Sequence, residues 1–265
     1  MNEIVIALLV VAGVGLVAGI LLVLASHFLR VKEDDRVIQL RACLPGVNCG
    51  ACGYAGCDDY AAALASGNVK TNLCIPGADA TAADIAAILG VQAEDVVEQI
   101  AVVHCNGTCE ATSKKAVYDG VGTCRAASML YGGPDACAYG CLGCGDCAAV
   151  CVNDAICLKD GIARIDRRRC IGCGMCARTC PKGIISMIPD VCHTEVLCSN
   201  KDKGAVARKV CTNACIACKK CEKTCPHGAI TVVDNLAVID YSKCTDCGAC
   251  VEACPTHCLQ TVCVG

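Results

Sequence analysis

The chain has 265 residues, a formal net charge of −3 and 31 cysteines, but no Trp, one Phe and six Tyr. So few large rings leave little apolar volume to bury, and metal–thiolate bonds are therefore the expected source of folding energy. The negative charge argues against a nucleic-acid surface. An odd cysteine count, clustered at C-x-x-C spacing in a long chain, argues against a disulfide scaffold.

The first predicted element is a helix that spans a membrane. Residues 4–25 are uncharged and apolar, and at about 1.5 Å per residue they reach roughly 33 Å, enough to cross the hydrocarbon core. A cleaved signal peptide is the alternative, but Glu3 precedes the run where a signal would carry Lys or Arg. Basic residues after the run predict that the C-terminal side lies in the cytoplasm: Arg30, Lys32, Arg36 and Arg41. We therefore expect a single-pass anchor, residues 1–30, in the inner (cytoplasmic) membrane, with the cysteine-rich part in the cytoplasm.

Residues 31–80 are predicted to form a small helical domain around a first [4Fe–4S] cluster. Its candidate ligands are Cys49, Cys52, Cys57 and Cys74. Three closely spaced thiolates and one remote thiolate can surround a cubane cluster, and the intervening glycines let the backbone direct N–H groups at sulfur. A zinc site is the alternative.

Residues 81–136 are predicted to be a helical spacer that carries an additional cluster. One helix runs from Thr81 to Gly90, and another covers about residues 93–103. The additional [4Fe–4S] site is assigned to Cys105, Cys109, Cys124 and Cys137. One position of this assignment is open, because Cys137 lies so near Cys141 in the chain that either could serve the site.

Two tandem dicluster ferredoxin modules, residues 137–190 and 191–265, are predicted from four quartets with the spacing C-x2-C-x2-C-x3-C. In this bacterial pattern the fourth cysteine of each quartet ligates the other cluster of its module. The predicted ligand sets of the first module are Cys141, Cys144, Cys147 with Cys180, and Cys170, Cys173, Cys176 with Cys151. Those of the second module are Cys215, Cys218, Cys221 with Cys254, and Cys244, Cys247, Cys250 with Cys225. Matching hairpins that turn at Asp160–Gly161 and Asp234–Asn235 make each module an α+β unit and the pair an internal duplication.

These assignments give about six [4Fe–4S] clusters per chain. A seventh site is considered near Cys192, Cys198 and Cys211, but no fourth ligand is evident. The remaining cysteines are interpreted as small buried apolar residues: Cys43, Cys157, Cys258 and Cys263. No nucleophile–base pair, phosphate-binding loop or dinucleotide fingerprint is found in the sequence. The chain is therefore predicted to carry electrons without catalytic residues of its own.

Three segments carry a family resemblance that extends over nearly the whole chain: LPGVNCGACGYAGC, CAYGCLGCGDC and SNKDKG. They resemble the B subunits of the Rnf complex, an ion-pumping ferredoxin:NAD⁺ oxidoreductase. The resemblance implies that reduced soluble ferredoxin delivers electrons to this chain, which relays them to other membrane and peripheral subunits and on to NAD⁺, driving Na⁺ or H⁺ translocation. In many members of the family the position of Cys144 is not a cysteine, so this chain departs from the pattern there.

The resemblance also implies a basic docking surface for an acidic ferredoxin. The candidates are Lys201, Lys203, Arg208, Lys209, Lys219, Lys220 and Lys223, and a merely solvated face is the alternative. Two other functions are considered. One is a polyferredoxin of a different membrane redox complex, or a reducer of a redox-sensing regulator. The other is a zinc-stabilised interaction scaffold without a redox role.

Overall fold

The computed structural model describes residues 2–28, 34–67 and 69–261, so Arg30, Lys32 and Cys263 lie outside the described residues. Helix α1, Asn2–Phe28, is long and apolar enough to cross a membrane, by length and composition. Its side chains are exposed along its whole length. A helix that is apolar on every face and packs against no other described element is typical of a segment surrounded by lipid.

Three helices form a small domain after the anchor: α2 (Asp35–Cys43), α3 (Cys57–Ala65) and α4 (Ala78–Leu89). A 3₁₀ turn, Ile75–Gly77, joins Cys74 to α4. The helices bury a shared core that includes Leu40, Tyr60, Leu64 and Ile85. The Tyr60 hydroxyl also donates a hydrogen bond of 2.8 Å to the Lys70 carbonyl. The core therefore fixes the loop that brings Cys74 back to the chain around Cys57.

The helix predicted over residues 93–103 is wrong. The structure has strand β1 there, Gln99–Val103, which pairs antiparallel with strand β4, Ile185–Pro189. Ile100 and Val102 pack on one side of β1, and Ala101 and Val103 pack in a different core on the other side. A strand that is buried on both faces reads as a continuous apolar run, which periodicity does not distinguish from a buried helix. The strand that closes the first ferredoxin module thus lies in the predicted spacer.

The first module contains three short helices, α5 (Cys124–Met129), α6 (Asp146–Ala149) and α7 (Met175–Thr179). The hairpin between its quartets is formed by β2 (Ile156–Lys159) and β3 (Ile162–Ile165). The second module contains β5 (Thr194–Val196), α8 (Gly204–Val210), α9 (Lys220–Thr224), β6 (Ile230–Val233), β7 (Leu236–Ile239), α10 (Ala249–Glu252) and β8 (Leu259–Thr261). Both predicted hairpins are confirmed, and Asp160 and Asp234 adopt positive φ at their turns.

The two modules repeat one arrangement. In each of them, the strand before the cysteine-rich loops pairs with the strand after the last quartet: β1 with β4, and β5 with β8. The modules also contact each other through buried polar groups. The Arg167 guanidinium donates to the Glu195 carboxylate (3.0 Å) and to the Cys192 carbonyl (2.7 Å), and the His104 ring contacts the Val196 carbonyl (2.6 Å). Loops of both modules consequently meet at one interface.

Candidate iron–sulfur sites

The N-terminal domain brings its four predicted ligands together. Burial, together with the neighbouring thiolates of Cys57, Cys49 and Cys52, raises the pKa of Cys74 to about 11. Positive φ at Gly50 and Gly53 lets the chain wind tightly between the cysteines. Three sulfurs from one turn and one from the remote loop are thus arranged as a cubane cluster would require.

In the first module, Cys151 lies beside the cysteines of the following quartet. Burial raises the pKa of Cys176 to about 11, and Cys170, Cys173 and Cys151 contribute to the rise as neighbouring thiolates. The Ala155 backbone N–H points at the Cys151 sulfur, at 3.3 Å. This grouping is the crossed arrangement expected for a dicluster ferredoxin.

Two cavities in the second module show the same crossed grouping. One, of about 340 Å³, is lined by Cys225, Cys244, Cys247 and Cys250. The other, of about 310 Å³, is lined by Cys215, Cys218, Cys221 and Cys254. The Ala229 N–H lies 3.4 Å from the Cys225 sulfur and repeats the contact made to Cys151. The two modules therefore present sulfur in similar surroundings.

The remaining cavity of the first module differs from its predicted ligand set. It measures about 340 Å³ and is lined by Cys124, Cys141, Cys147 and Cys180. Cys144 lies beside Cys124, and its thiol donates toward the Leu142 carbonyl at 3.6 Å. Cys124 reaches the cavity because the Asp146 carboxylate accepts hydrogen bonds from its backbone N–H (2.9 Å) and from that of Arg125 (3.1 Å). The spacing of the quartets does not point to Cys124. The one signal in the sequence was that many members of the family have no cysteine at the position of Cys144.

The structure does not bring Cys105, Cys109, Cys124 and Cys137 to one place. Cys124 lines the ferredoxin cavity, and Cys109 is exposed beside the Gly161 turn. Cys105 and Cys137 instead line a cavity together with Cys198 and Cys211. Cys192, considered with the last two, lies near Cys244 and Asp246, so that grouping does not form either. Local sequence could not group Cys105 and Cys137 correctly because the cysteines beside them lie in the other module.

The cysteines expected to be buried have different environments. Cys258 is buried, with its sulfur 3.5 Å from that of Cys254. Cys157 is exposed and Cys43 is half-buried, so the expectation of burial is wrong for Cys157. Cys157 lies in strand β2, where the last three residues are all exposed.

The predicted basic surface is exposed in the second module. The exposed residues are Lys201, Lys203, Arg208, Lys209, Lys219, Lys220 and Lys223. Cys218, also exposed, directly precedes Lys219. Lys219 lines the same cavity as Cys218, so positive charge lies beside that cavity.

Comparisons with known proteins match these sites. Residues 163–186 match a 4Fe-4S binding domain, residues 214–258 match a 4Fe-4S dicluster domain, and residues 44–76 match a family described as a putative Fe-S cluster. These matches support [4Fe–4S] clusters in the N-terminal domain and in both modules.

Three relatives are similar over nearly the full chain. The B subunit of the Na⁺-translocating ferredoxin:NAD⁺ oxidoreductase complex of Acetobacterium woodii is 44% identical over 96% of this chain and 78% of its own length. The B subunit of the proton-translocating complex of Clostridium ljungdahlii is 40% identical over 100% of this chain and 95% of its own. The B subunit of the ion-translocating oxidoreductase complex of Methanosarcina acetivorans is 37% identical over 95% and 96%. This chain therefore belongs to the family of B subunits of ion-translocating ferredoxin:NAD⁺ oxidoreductase, the Rnf complex.

Proposed function

We propose that the chain relays electrons from soluble ferredoxin to other subunits of an Rnf complex, through [4Fe–4S] clusters held on the cytoplasmic side of the membrane. When bound, each cluster supplies a one-electron carrier. The observation that carries this proposal is the continuity of the cysteine groups, which adjoin one another through the N-terminal domain and within each module.

The contacts between neighbouring groups support this order. The Arg178 guanidinium, on the helix that carries Cys176, donates a hydrogen bond to the Cys49 carbonyl. Burial raises the pKa of Cys173, and the Cys49 thiolate is among the neighbours that raise it further. Within the first module, burial raises the pKa of Cys147 to about 12, with Cys176 among the contributing neighbours. The N-terminal group therefore adjoins the first module, whose two groups adjoin each other.

The second module has the same internal continuity. Helix α9 carries Cys221 of one group and ends before Cys225 of the other, whose N–H donates to the Cys221 carbonyl at 3.1 Å. One helical turn thus separates ligands of the two sites. The basic surface lies at this module, and the membrane helix precedes the N-terminal domain. We infer that electrons enter at the second module and leave through the N-terminal domain beside the membrane.

Anaerobic purification of the full chain tests the proposal. The five sites of the N-terminal domain and the two modules predict at least about 20 iron atoms per chain and a visible absorption that bleaches when reduced ferredoxin is added. A colourless protein that contains zinc would contradict the cluster assignment. A brown protein that reduced ferredoxin does not bleach would contradict the choice of electron donor.

The cytoplasmic orientation is tested by protease digestion of membrane vesicles. The cysteine-rich part should be digested in inside-out vesicles but not in right-side-out vesicles.

A further inference from the structure

A cavity between the two ferredoxin modules is lined by four buried cysteines. Cys105 and Cys137 come from the first module, and Cys198 and Cys211 come from the second. The space they border, part of it open to solvent, is about 400 Å³, compared with about 310–340 Å³ for the spaces lined by the ferredoxin cysteines. The interface therefore has the same four-thiol lining as the neighbouring sites and a space of similar size.

Backbone N–H groups are directed at the sulfurs in a repeated pattern. The Cys105 sulfur accepts from Gly107 N–H (3.4 Å) and Cys141 N–H (3.3 Å). The Cys198 sulfur accepts from Asn200 N–H (3.5 Å) and Cys215 N–H (3.3 Å). A neutral thiol is a weak acceptor, whereas a metal-bound thiolate carries the charge that attracts such donors. The duplicated pattern is what two halves of one metal site would need.

The Asn200 side chain adds a contact across the interface. Its amide nitrogen lies 3.6 Å from the Cys137 sulfur, so a residue of the second module donates to a thiol of the first. Asn200 is almost fully buried, with 1% of its surface exposed. Both modules thus supply sulfur and hydrogen-bond donors to the same cavity.

The spacing of the sulfurs fits a cluster better than a single ion. A Cβ atom added to Gly107 would lie 3.5 Å from the Cys105 sulfur and 3.7 Å from the Cys211 sulfur, so both thiols border the space beside this glycine. Within residues 2–28, 34–67 and 69–261, no three Cys, His or carboxylate side chains converge closely enough to hold one metal ion. Zinc would draw its four sulfurs to bonds of about 2.3 Å and leave no such cavity.

We propose that Cys105, Cys137, Cys198 and Cys211 ligate a [4Fe–4S] cluster that the two modules share. Cys141 and Cys215, whose N–H groups contact this site, are themselves lining residues of the adjacent ferredoxin cavities. The site therefore lies between the first group of one module and the first group of the other. Its role as the connection between modules rests on the proposed electron relay, whereas its ligation does not.

The ligand set is tested by alanine variants of the full chain, purified anaerobically. Cys198→Ala is expected to lower the iron content from about 24 to about 20 atoms per chain and to remove one signal from the electron paramagnetic resonance spectrum of the reduced protein. Cys109→Ala and Cys192→Ala are the matched controls and should retain all the iron. Loss of iron from Cys109→Ala, with none from Cys198→Ala, would overturn the proposal.

A second measurement does not depend on the folding of a variant. Density for the wild-type chain in its membrane complex should show a cubane between these four sulfurs, whereas an empty cavity or a single zinc ion would refute the site.

The relay between the modules is tested separately. Cys198→Ala should still take electrons from reduced ferredoxin into the second module, but electron flow to the first module should be lost. Unchanged flow in a variant that lacks the iron would overturn the connecting role, whereas a wild-type protein that ferredoxin does not reduce would count against the proposed function alone.

Discussion

The two ferredoxin modules share one fold but differ at the helix that precedes the first cysteine quartet. In the first module, α5 begins with Cys124, whose thiol enters the cavity beside Cys141. In the second module, α8 begins with Gly204, where a Cβ atom would clash with the Ile216 carbonyl oxygen. No side chain fits there, and Cys218 of the quartet lines the cavity instead. The comparison teaches that matching spacing in sequence does not guarantee matching surroundings, because an adjacent helix can bring a further thiol to the cavity.

Removal of single cysteines is expected to have the largest effect, and it tests directly whether the two modules use different cysteines. Cys124→Ala in the first module and Cys218→Ala in the second are each expected to lower the iron content by about four atoms per chain. Cys144→Ala is the matched control and should keep its iron, because Cys124 completes the site. Cys180→Ala should affect the same cluster as Cys124→Ala, as judged by electron paramagnetic resonance. Iron loss from Cys144→Ala but not from Cys124→Ala would restore the ligand set predicted from spacing.

The modules also differ at the residue that follows the aspartate after their hairpins. The first has Arg167, which is buried and paired with Glu195, and the second has Tyr241, which packs against Ile100 and Leu197. Arg167→Leu leaves the Glu195 carboxylate buried without its partner, so we expect a loss of about 3–5 kcal/mol in the free energy of unfolding. Tyr241→Phe keeps the packing and should cost much less.

The cost of Arg167→Leu should depend on pH. Burial raises the pKa of Glu195 to about 7 even though Arg167 opposes the rise. A carboxyl group with a raised pKa in the folded state favours folding at low pH, and this contribution is lost as the pH rises through the folded pKa. Denaturant unfolding, followed by loss of visible absorption, should therefore show a larger defect at pH 8 than at pH 6. Arg168→Leu, at an exposed neighbour, is the control, and equal defects at both pH values would contradict this account.

Charge reversal on the surface of each module is expected to have the smallest effect of these variants. Lys219→Glu combined with Lys220→Glu reverses two charges beside Cys218 and should slow reduction by ferredoxin by about tenfold at low salt. Lys159→Glu combined with Arg168→Glu makes the same charge change on exposed residues of the first module and should have little effect. Stopped-flow bleaching at two salt concentrations measures both rates. Equal slowing by the two pairs would indicate a general charge effect and no docking surface.

Local sequence signals predict much of this fold. The apolar run, the hairpin turns at Asp160 and Asp234, and the crossed placement of Cys151 depend on short spacings that the structure reproduces. The errors at β1 and at Cys105 share one cause, because both depend on contacts between distant parts of the chain. Periodicity predicts a helix in place of strand β1 since the partner of that strand lies in β4. Spacing groups Cys105 with Cys109 for the same reason, since the Cys198 side of its cavity belongs to the other module.

The divided cavity at the interface has a consequence for biosynthesis. Its last sulfur, Cys211, is translated long after Cys105, and the contact of the Asn200 amide with the Cys137 sulfur requires both modules to be folded and docked. The iron–sulfur assembly machinery can therefore complete this site only after most of the chain has left the ribosome. A truncated or misdocked product would leave these thiols without their metal.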